Sequence, residues 1–362
     1  MQTLAELKQS VDEYAAGCWD ERVAAGDLHY IANKIVRYPT KPTLFNQQSV
    51  LMELALSDHA YAQFNERVGG PDLRWIGNSE NCPPDLEPII LNRLLQKEAA
   101  EGREYLMRAR EDVFRAVLSN QYSVFDNVKF VELVERGIDT LGADVVAQIH
   151  RPSIGDRLRA YILLPQITFS ERYGGLHPGA YIRNSEIGDG SARVTGGLYR
   201  SVCTNGIIYG WESGSDIAIK HKWVDGNMLA AMVAGALSEG FKLSEEAAIK
   251  FVASESIHIE QQSLRPLIEE WAKKYKLSQK VSDEWQGASV GNAGESGRAK
   301  DLRMMDVING ATYVAQRQED ETFAEAIERM AGEILRGVSV SDQDFVSQSD
   351  GQVYVQPVFQ WA

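Results

Sequence analysis

A glycine-punctuated stretch in the middle of the chain limits the fold more than any other part of the sequence. Between residues 180 and 209, short runs rich in β-branched and aromatic residues are separated by Gly188, Gly190, Gly196-Gly197 and Asn205-Gly206. An Asn-Gly pair between two extended runs is the strongest short-range signal for a β-hairpin. The pattern therefore predicts an antiparallel sheet built from hairpins, with a tight turn at Asn205-Gly206 and a break at Gly196-Gly197.

Helical periodicity on both sides of this stretch completes the prediction of fold class. Apolar residues recur at helical spacing before residue 104 and after residue 227. We predict an α+β protein whose central antiparallel, hairpin-rich sheet is flanked by N- and C-terminal helical parts. The predicted divisions are an N-terminal helical part over 1–104, a central β-rich domain over 105–226, a C-terminal helical part over 227–340, and an acidic then aromatic tail over 341–362.

Local signals predict individual elements within these parts. Tyr105–Arg110 and Val113–Ser119 read as two strands of a hairpin, and a helix is expected to begin near Asp126. Ser57 and Ser244 are predicted to cap the helices that follow them. Three further expectations are a helix over 47–56, a mobile glycine-rich connector over 287–297, and two separate helices over 228–237 and 244–256.

The charge of the chain is uneven. The whole chain carries a formal charge of −14, which disfavours indiscriminate binding to polyanions. Residues 151–222 contain nine Lys and Arg against six Asp and Glu, so this segment is +3 and the remainder is −17. The central segment is therefore the part of the chain in which a basic surface can form.

The candidate binding residues are basic and aromatic side chains of this central segment. Binding of single-stranded nucleic acid requires a cationic groove together with aromatic faces on which bases stack. Residues 157, 159 and 161 fall on one face of a predicted strand, because strand side chains alternate; this face is either the solvated side of a sheet or a ligand-facing basic surface. The predicted nucleic-acid-binding residues are Arg157, Arg159, Tyr161, Arg183, Arg193, Arg200, Lys220 and Lys222.

Patterns for the common catalytic and cofactor sites are absent from the sequence. Glu186 and Asp189 leave open a two-carboxylate Mg²⁺ nuclease, but a structural pairing of Glu186 with Arg183 or Arg200 is favoured. The thiol of Cys203 is expected in the core rather than as a nucleophile. The glycine pairs are followed neither by Lys-Ser/Thr nor by a helix, so neither a P-loop nor a dinucleotide fingerprint is present and no cofactor or metal is predicted. Enzymatic activity is left open, with a non-enzymatic role favoured.

Other features bear on compartment and assembly. Three cysteines without CxxC spacing disfavour a disulfide framework. Neither a membrane-spanning run nor an export signal is recognisable, so a cytoplasmic protein without membrane contact is expected. The apolar, aromatic residues 353–362 are expected to dock on this chain or on a second copy, which predicts a homo-oligomer.

Several motifs in a fixed order resemble a known family. They are Ala62-Gln-Phe64, Val68-Gly-Gly-Pro71, Phe114–Asp126 with its Arg-Ala-x-Leu-Ser-x-x-Tyr core, Asn184–Gly188 and Leu198–Gly206 with Cys-Thr-Asn-Gly. Together they are similar to the phage/plasmid-like proteins of domain of unknown function 932, over roughly residues 57–335. The resemblance implies a role on mobile elements and raises the expectation of nucleic-acid contact, here single-stranded DNA in recombination or annealing. The alternative is an acidic interaction or anti-defence protein that binds a host protein through its negative surface.

Overall fold

The structure is a computed structural model, and it describes most of the chain. The described residues are 2–32, 34–39, 51–68, 86–140, 147–163, 176–200, 205–209, 217–219, 226–295, 297 and 301–338. They form an α+β protein with two largely antiparallel sheets and helices packed on both. Within these residues no helix has the length and apolar character needed to span a membrane.

The strands and helices are numbered here in chain order. The strands are β1 (Gln2–Thr3), β2 (Cys18–Ala24), β3 (His29–Ala32), β4 (Ile35–Pro39), β5 (Leu51–Leu56), β6 (Glu104–Arg110), β7 (Val113–Ser119), β8 (Gln148–Ser153), β9 (Arg157–Leu163), β10 (Leu176–Ser185), β11 (Ala192–Arg200), β12 (Asn205–Ile208) and β13 (Ile217–Ile219). The helices are α1 (Leu4–Ala15), α2 (Asp58–Arg67), α3 (Leu86–Ala100), α4 (Asn127–Asp139), α5 (Gly226–Ala253), α6 (Gln261–Tyr275), α7 (Gln279–Glu295), α8 (Met304–Gln316) and α9 (Glu321–Arg336).

Sheet A holds the central stretch. Its strand order is β1-β8-β9-β10-β11-β12, with β13 also paired to β11, and every pairing is antiparallel. One face carries Leu158, Ile162 and Ile182, which pack with side chains of α1, α4 and α5 in a buried cluster. The alternating residues of β9 and β10, among them Arg159, Tyr161, Tyr181 and Arg183, therefore lie on the opposite face.

Sheet B is built from the N-terminal third of the chain. Its order is β2-β6-β7-β5-β4-β3, and the β5–β7 pair is parallel. Helices α2 and α3 cover one face with a core that includes Tyr30, Phe64 and Phe114. The first 104 residues, expected to be helical, thus contain four strands of this sheet as well as helices. The residue boundaries that the sequence predicts for the four parts of the chain stay a prediction.

Several local predictions are confirmed. The β6–β7 hairpin forms with Arg110 opposite Val113, and Glu111 takes the left-handed backbone at φ 52° that its tight turn requires. Ser57 caps α2 by accepting a hydrogen bond from the Ala60 backbone N–H. Helix α4 follows Asp126 directly, as its sequence predicts.

Four predictions of local structure are wrong. Residues 51–56 form strand β5 rather than a helix, because they pair with β4 and β7. Strand β11 runs through Gly196-Gly197 without a break, since it is paired on both sides. Ser244 lies inside the single helix α5, where its Oγ donates to the Phe241 carbonyl instead of capping. Residues 287–295 continue helix α7.

The predicted turn at Asn205-Gly206 is also displaced. Both residues lie in strand β12, with Asn205 opposite Arg200 and Gly206 opposite Tyr199. The connection between β11 and β12 therefore falls on residues 201–204, which lie outside the described residues together with the candidate thiol of Cys203. The aromatic tail lies outside them as well.

Candidate functional site

The predicted binding residues of sheet A are ordered in two cross-strand rows. Arg159 of β9 stands opposite Arg183 of β10, and Arg183 stands opposite Arg193 of β11. We call these three residues the arginine row. One step along the strands, Tyr161 stands opposite Tyr181, with ring centroids 5.1 Å apart. Like charges directly opposite one another are destabilising, so the arginine row requires nearby negative charge.

Helix α9 supplies that negative charge. Its residues Glu321, Glu325 and Glu328 are spaced four and three positions apart, which places them on one helical face. We call them the acidic ridge. Glu325 and Glu328 are 3% and 4% exposed. The Asp320 carboxylate caps the helix by accepting from the Thr322 and Phe323 backbone N–H groups, which sets the start of the ridge.

Glu325 is the centre of the contact between the ridge and the row. Its Oε1 accepts a hydrogen bond from Arg183 Nη1 at 2.9 Å, and its Oε2 lies 3.4 Å from Arg159 Nε. The Tyr181 hydroxyl donates to the same Oε2 at 2.9 Å. Burial, followed by the negative charge of Glu325, raises the pKa of Tyr181 well above 10, so this hydroxyl remains a donor.

The flanking members of the ridge make their own contacts. Glu328 Oε2 accepts a hydrogen bond from the Tyr161 hydroxyl at 2.7 Å. Glu321 Oε2 lies 3.6 Å from Arg159 Nη1 and accepts a hydrogen bond from Ser153 Oγ at 2.7 Å. These contacts tie strands β8, β9 and β10 to one helix.

A cavity of about 230 Å³ lies between sheet A and α9 at this contact. It is bounded by β8 and β9 on one side and by the first turns of α9 on the other. Its walls combine polar groups with apolar surface, the latter from Pro152, Ala324 and the tyrosine rings. The lining residues are Pro152, Ser153, Arg159, Tyr161, Tyr181, Gln318, Glu321, Ala324, Glu325 and Glu328.

The structure brings together part of the predicted nucleic-acid site. Arg159, Tyr161 and Arg183 meet at the acidic ridge, and Tyr161 is 2% exposed, so its ring is not a stacking platform for bases. Arg193 Nε donates to Ser191 Oγ at 3.3 Å. Arg200 lies in β11 opposite Asn205. Lys220 and Lys222 lie outside the described residues.

Arg157 stands apart from this cluster. Its Nε donates to Asp189 Oδ2 at 2.7 Å, and this bond raises the pKa of Arg157. Burial by itself would raise the pKa of Asp189, but the hydrogen bonds from Arg157 and Ser185 outweigh it and hold that pKa below 3.8. The side chain of Arg157 is 43% exposed, so it is paired but accessible.

The motif residues of the family resemblance meet elsewhere, in a buried junction between the two sheets. Arg115 Nη1 donates to Glu186 Oε2 at 2.5 Å and to Asp156 Oδ1 at 2.9 Å. Glu186 Oε1 accepts from the Asn127 backbone N–H, and the Glu186 carbonyl accepts from Arg108 Nη1 at 2.6 Å. Although burial alone would lower the pKa of Arg115, the negative charge of Glu186 and its hydrogen bond raise that pKa above its ordinary value. Glu186 was predicted to pair with Arg183 or Arg200; it pairs with Arg115, whereas Arg183 pairs with Glu325.

Gly188 shows why the loop of this junction requires glycine. Its φ of +78° is in the left-handed region, and a Cβ there would lie 2.5 Å from Leu118 Cδ2. Its neighbour Ile187 is buried against Leu106 and Leu118. The Glu186 and Asp189 carboxylates point to arginines here, and among the described residues no group of three His, Cys, Asp or Glu side chains is placed to hold a metal ion.

Comparison with known families assigns the chain. The family model described as domain of unknown function (DUF932) matches residues 116–331. The chain belongs to the DUF932 family. The match includes every residue that lines the cavity, whereas Arg108 and Arg115 of the junction precede it. No curated protein and no solved structure matches the chain.

Sequence reasoning missed the acidic ridge. The signal for it is present, because Glu325 and Glu328 occupy the same helical stripe as Ala324, Ile327 and Ala331. Glutamates within an apolar stripe indicate that the helix buries charge against a basic partner. The sequence does not show which basic residues those are, since they lie more than 140 positions away.

Proposed function

We propose that the DUF932 domain of this protein is a binding module for a small polar molecule, held in the cavity between sheet A and α9. The observation that carries the proposal is a preformed cavity lined by buried charged and hydroxyl groups that already hold fixed positions. Sites of this kind, concave and with a few convergent polar groups, are the usual form of small-molecule sites. Drug-sized ligands occupy roughly 300–1,000 Å³, so a cavity of about 230 Å³ suits a smaller one.

Because α9 is held rigidly, the cavity between it and sheet A has a fixed shape, and α9 is not a cover that could be displaced from the sheet. Ile327, Met330, Ile334 and Leu335 of α9 are buried in the C-terminal core. Each such side chain contributes about 1.5–3 kcal/mol by burial, so these four contribute roughly 6–12 kcal/mol. The net stability of a domain is about 5–15 kcal/mol. Lifting α9 from sheet A is therefore comparable to unfolding, and the groups around the cavity are held in place.

This rigidity also bears on the nucleic-acid hypothesis. Glu325 already neutralises Arg159 and Arg183, and the packing of α9 opposes the replacement of Glu325 by phosphates. Binding of single-stranded nucleic acid, a protein partner for the acidic surface and a role on phages or plasmids all stay predictions from the sequence. The contacts in sheet A favour the small-ligand cavity over these.

The proposal is tested by blocking the cavity. Ala324 lines it and is 5% exposed, so Ala324→Leu places a larger side chain in the cavity. We expect wild-type protein to gain thermal stability with at least one member of a panel of small amines, diols, sugars and carboxylic acids, and the Ala324→Leu variant to lose that gain. Ala55→Leu, at an exposed position of β5, is the matched control and should respond as wild type does.

Two outcomes contradict the proposal. The first outcome is that no compound of the panel stabilises the folded wild-type protein. The other is a ligand whose effect is the same in wild type and Ala324→Leu, because such a ligand binds elsewhere. The Ala324→Leu variant is first compared with wild type by circular dichroism, so that a lost response is not the result of unfolding.

A further inference from the structure

We infer that the ligand of this cavity is a small neutral polyol or a monosaccharide, bound through its hydroxyl groups. The inference rests on the proposed function and specifies the class of ligand. Donors and acceptors of hydrogen bonds stand side by side on the cavity wall, and apolar surface lies next to them. A compound with several hydroxyl groups on a short carbon skeleton matches both kinds of surface.

The polar groups of the wall include both donors and acceptors of hydrogen bonds. Arg159 offers only N–H donors, whereas the carboxylates of Glu321 and Glu325 only accept. An ammonium group can only donate, so it cannot accept from Arg159. A carboxylate or phosphate can only accept, so it cannot donate to the glutamates. A hydroxyl group does both, and it adds no charge to a wall on which Arg159 and Glu325 already compensate each other.

Glu321 and Arg159 provide a position for such a hydroxyl group. Glu321 Oε2 lies 3.6 Å from Arg159 Nη1, which is longer than the about 2.7–3.2 Å of a direct N–H···O hydrogen bond. Ser153 Oγ donates to the same Glu321 oxygen at 2.7 Å, so this carboxylate already binds one hydroxyl group. A ligand hydroxyl beside the pair can accept from Arg159 Nη1 and donate to Glu321. The Glu321 side chain is 60% exposed, so a ligand can reach it.

The apolar part of the wall and the size of the cavity fit the carbon skeleton of such a compound. The rings of Tyr161 and Tyr181 line the cavity together with Pro152 and Ala324. The C–H groups of a polyol or sugar ring can lie against these surfaces while its hydroxyl groups meet the polar ones. The volume of about 230 Å³ is below the roughly 300–1,000 Å³ of drug-sized ligands. It therefore suits a short polyol or a single sugar ring rather than an oligosaccharide.

Ligand-observed NMR titration of the full chain tests the inference. Binding is followed at the ligand because polyols also stabilise proteins in general, through exclusion from the protein surface. The neutral probes are xylitol, xylose, glucose and myo-inositol, and the charged counterparts are glucosamine and glucuronate. We expect at least one neutral probe to bind wild-type protein and not the Ala324→Leu variant. Both charged sugars are expected to bind at least about tenfold more weakly than that probe.

Substitutions of Glu321 distinguish hydrogen bonding from attraction by charge. Glu321→Ala removes the acceptor and is expected to weaken binding of the neutral probe about tenfold. Glu321→Gln removes the charge but keeps an acceptor oxygen, so it is expected to give a smaller loss. Glu319→Ala is the matched control and should bind as wild type does, because Glu319 is exposed and does not line the cavity. Circular dichroism shows whether each variant is folded.

The results separate the inference from the proposed function. If no neutral probe binds, the inference is overturned, and the wider panel above then decides the proposed function. A charged sugar that binds as tightly as the neutral probes, and not to Ala324→Leu, would overturn the neutral ligand and leave a small-molecule cavity. Equal losses in Glu321→Ala and Glu319→Ala, or in Glu321→Ala and Glu321→Gln, would overturn the hydroxyl contact. A neutral probe that binds Ala324→Leu as well as wild type would contradict both proposals.

Discussion

Arg183 Nη1 and Glu325 Oε1 lie 2.9 Å apart, although 142 positions separate the two residues in the chain. This pair joins the middle of sheet A to the last described helix. It places a carboxylate over a row of arginines that by sequence resembles a basic surface, beside a cavity that Arg159 of the row lines. The predictions below follow from this relationship and from the junction between the sheets.

Loss of the Glu325 charge is expected to destabilise the fold. Glu325→Gln leaves Arg159 and Arg183 without their shared carboxylate, and Arg159 is 9% exposed. Removing one partner of a buried ion pair costs about 3–5 kcal/mol, and the partial exposure of Arg183 favours the lower end. Urea unfolding measures the change, with Glu319→Gln as the exposed control. An equal midpoint for both variants would show that the contact contributes little.

Two glycine-to-alanine substitutions, one in α9 and one in α7 for comparison, test whether α9 is packed tightly against sheet A. A Cβ at Gly332 of α9 would lie 1.9 Å from the Ile208 carbonyl oxygen of β12, so Gly332→Ala forces the backbones apart. We expect a loss of about 1–3 kcal/mol in the free energy of unfolding. Gly291 of α7 has no atom within 4 Å of an added Cβ, so Gly291→Ala should stabilise the helix by about 0.5–1 kcal/mol. Thermal unfolding of both variants distinguishes them, and the same direction of change in both would contradict the packing described.

The Arg157–Asp189 pair predicts a particular pH dependence. The pKa of Asp189 is lower in the folded state than its ordinary value of 3.8, so its contribution is complete above that value and is lost as the pH falls through the folded pKa. Asp189→Asn should be less stable by about 1 kcal/mol at pH 7, because Arg157 is partly exposed. Below pH 4 its unfolding midpoint should fall less steeply than that of wild type. Parallel curves from pH 7 to pH 3 would refute this.

The buried junction should tolerate joint replacement better than single replacement. Glu186→Gln leaves the Arg115 charge buried and is expected to cost about 3 kcal/mol or more. Replacing both partners with apolar residues, as in Arg115→Met with Glu186→Leu, should cost less than the sum of the single changes. A double-mutant cycle in urea measures the coupling. Additive losses would show that Arg115 and Glu186 do not act as a pair.

The hypothesis that the protein binds single-stranded nucleic acid can be tested directly. Because Arg159 and Arg183 are occupied by Glu325, we expect no gel shift of single-stranded DNA at about 50 mM salt that depends on them. Arg157 has an accessible guanidinium, which Arg157→Ala removes with little effect on the core. If wild type shifts the DNA and the folded Arg157→Ala variant does not, the end of β9 carries a cationic surface that binds nucleic acid. That result would restore the nucleic-acid hypothesis.

Features that depend on residues close together in the sequence could be predicted from it, and features that depend on contacts between distant residues could not. The β6–β7 hairpin and the Ser57 cap depend on neighbouring residues, and both were predictable. Strand β5 was not, because its leucine-rich sequence favours a helix and only pairing with β4 and β7 makes it a strand. The α+β class was predictable, whereas the division into two sheets depends on these distant pairings.

The same reasoning applies to the glycine-rich residues 287–295. Their composition predicts a connector, yet α7 is anchored by Trp285, whose Nε1 donates to the Val307 carbonyl. At Gly310 of α8 a Cβ would lie 2.4 Å from Ser289 Oγ, so the two helices approach closely where side chains are small. Helix packing therefore outweighs the low helix propensity of glycine.

The candidate site was predicted in part. The alternation in β9 correctly places Arg159 and Tyr161 on one face, and the structure sets them opposite Arg183 and Tyr181. What the sequence could not show is that Glu325 and Glu328 cover that face, since this contact joins residues more than 140 positions apart. Counting charges along the chain identified the arginines but not the carboxylates that neutralise them.

A crystal structure of the protein soaked with a compound that stabilises it tests the central claim most directly. The account predicts electron density for that compound between sheet A and α9, with α9 unmoved. An empty cavity at a saturating concentration, or a ligand bound at another surface, would contradict it.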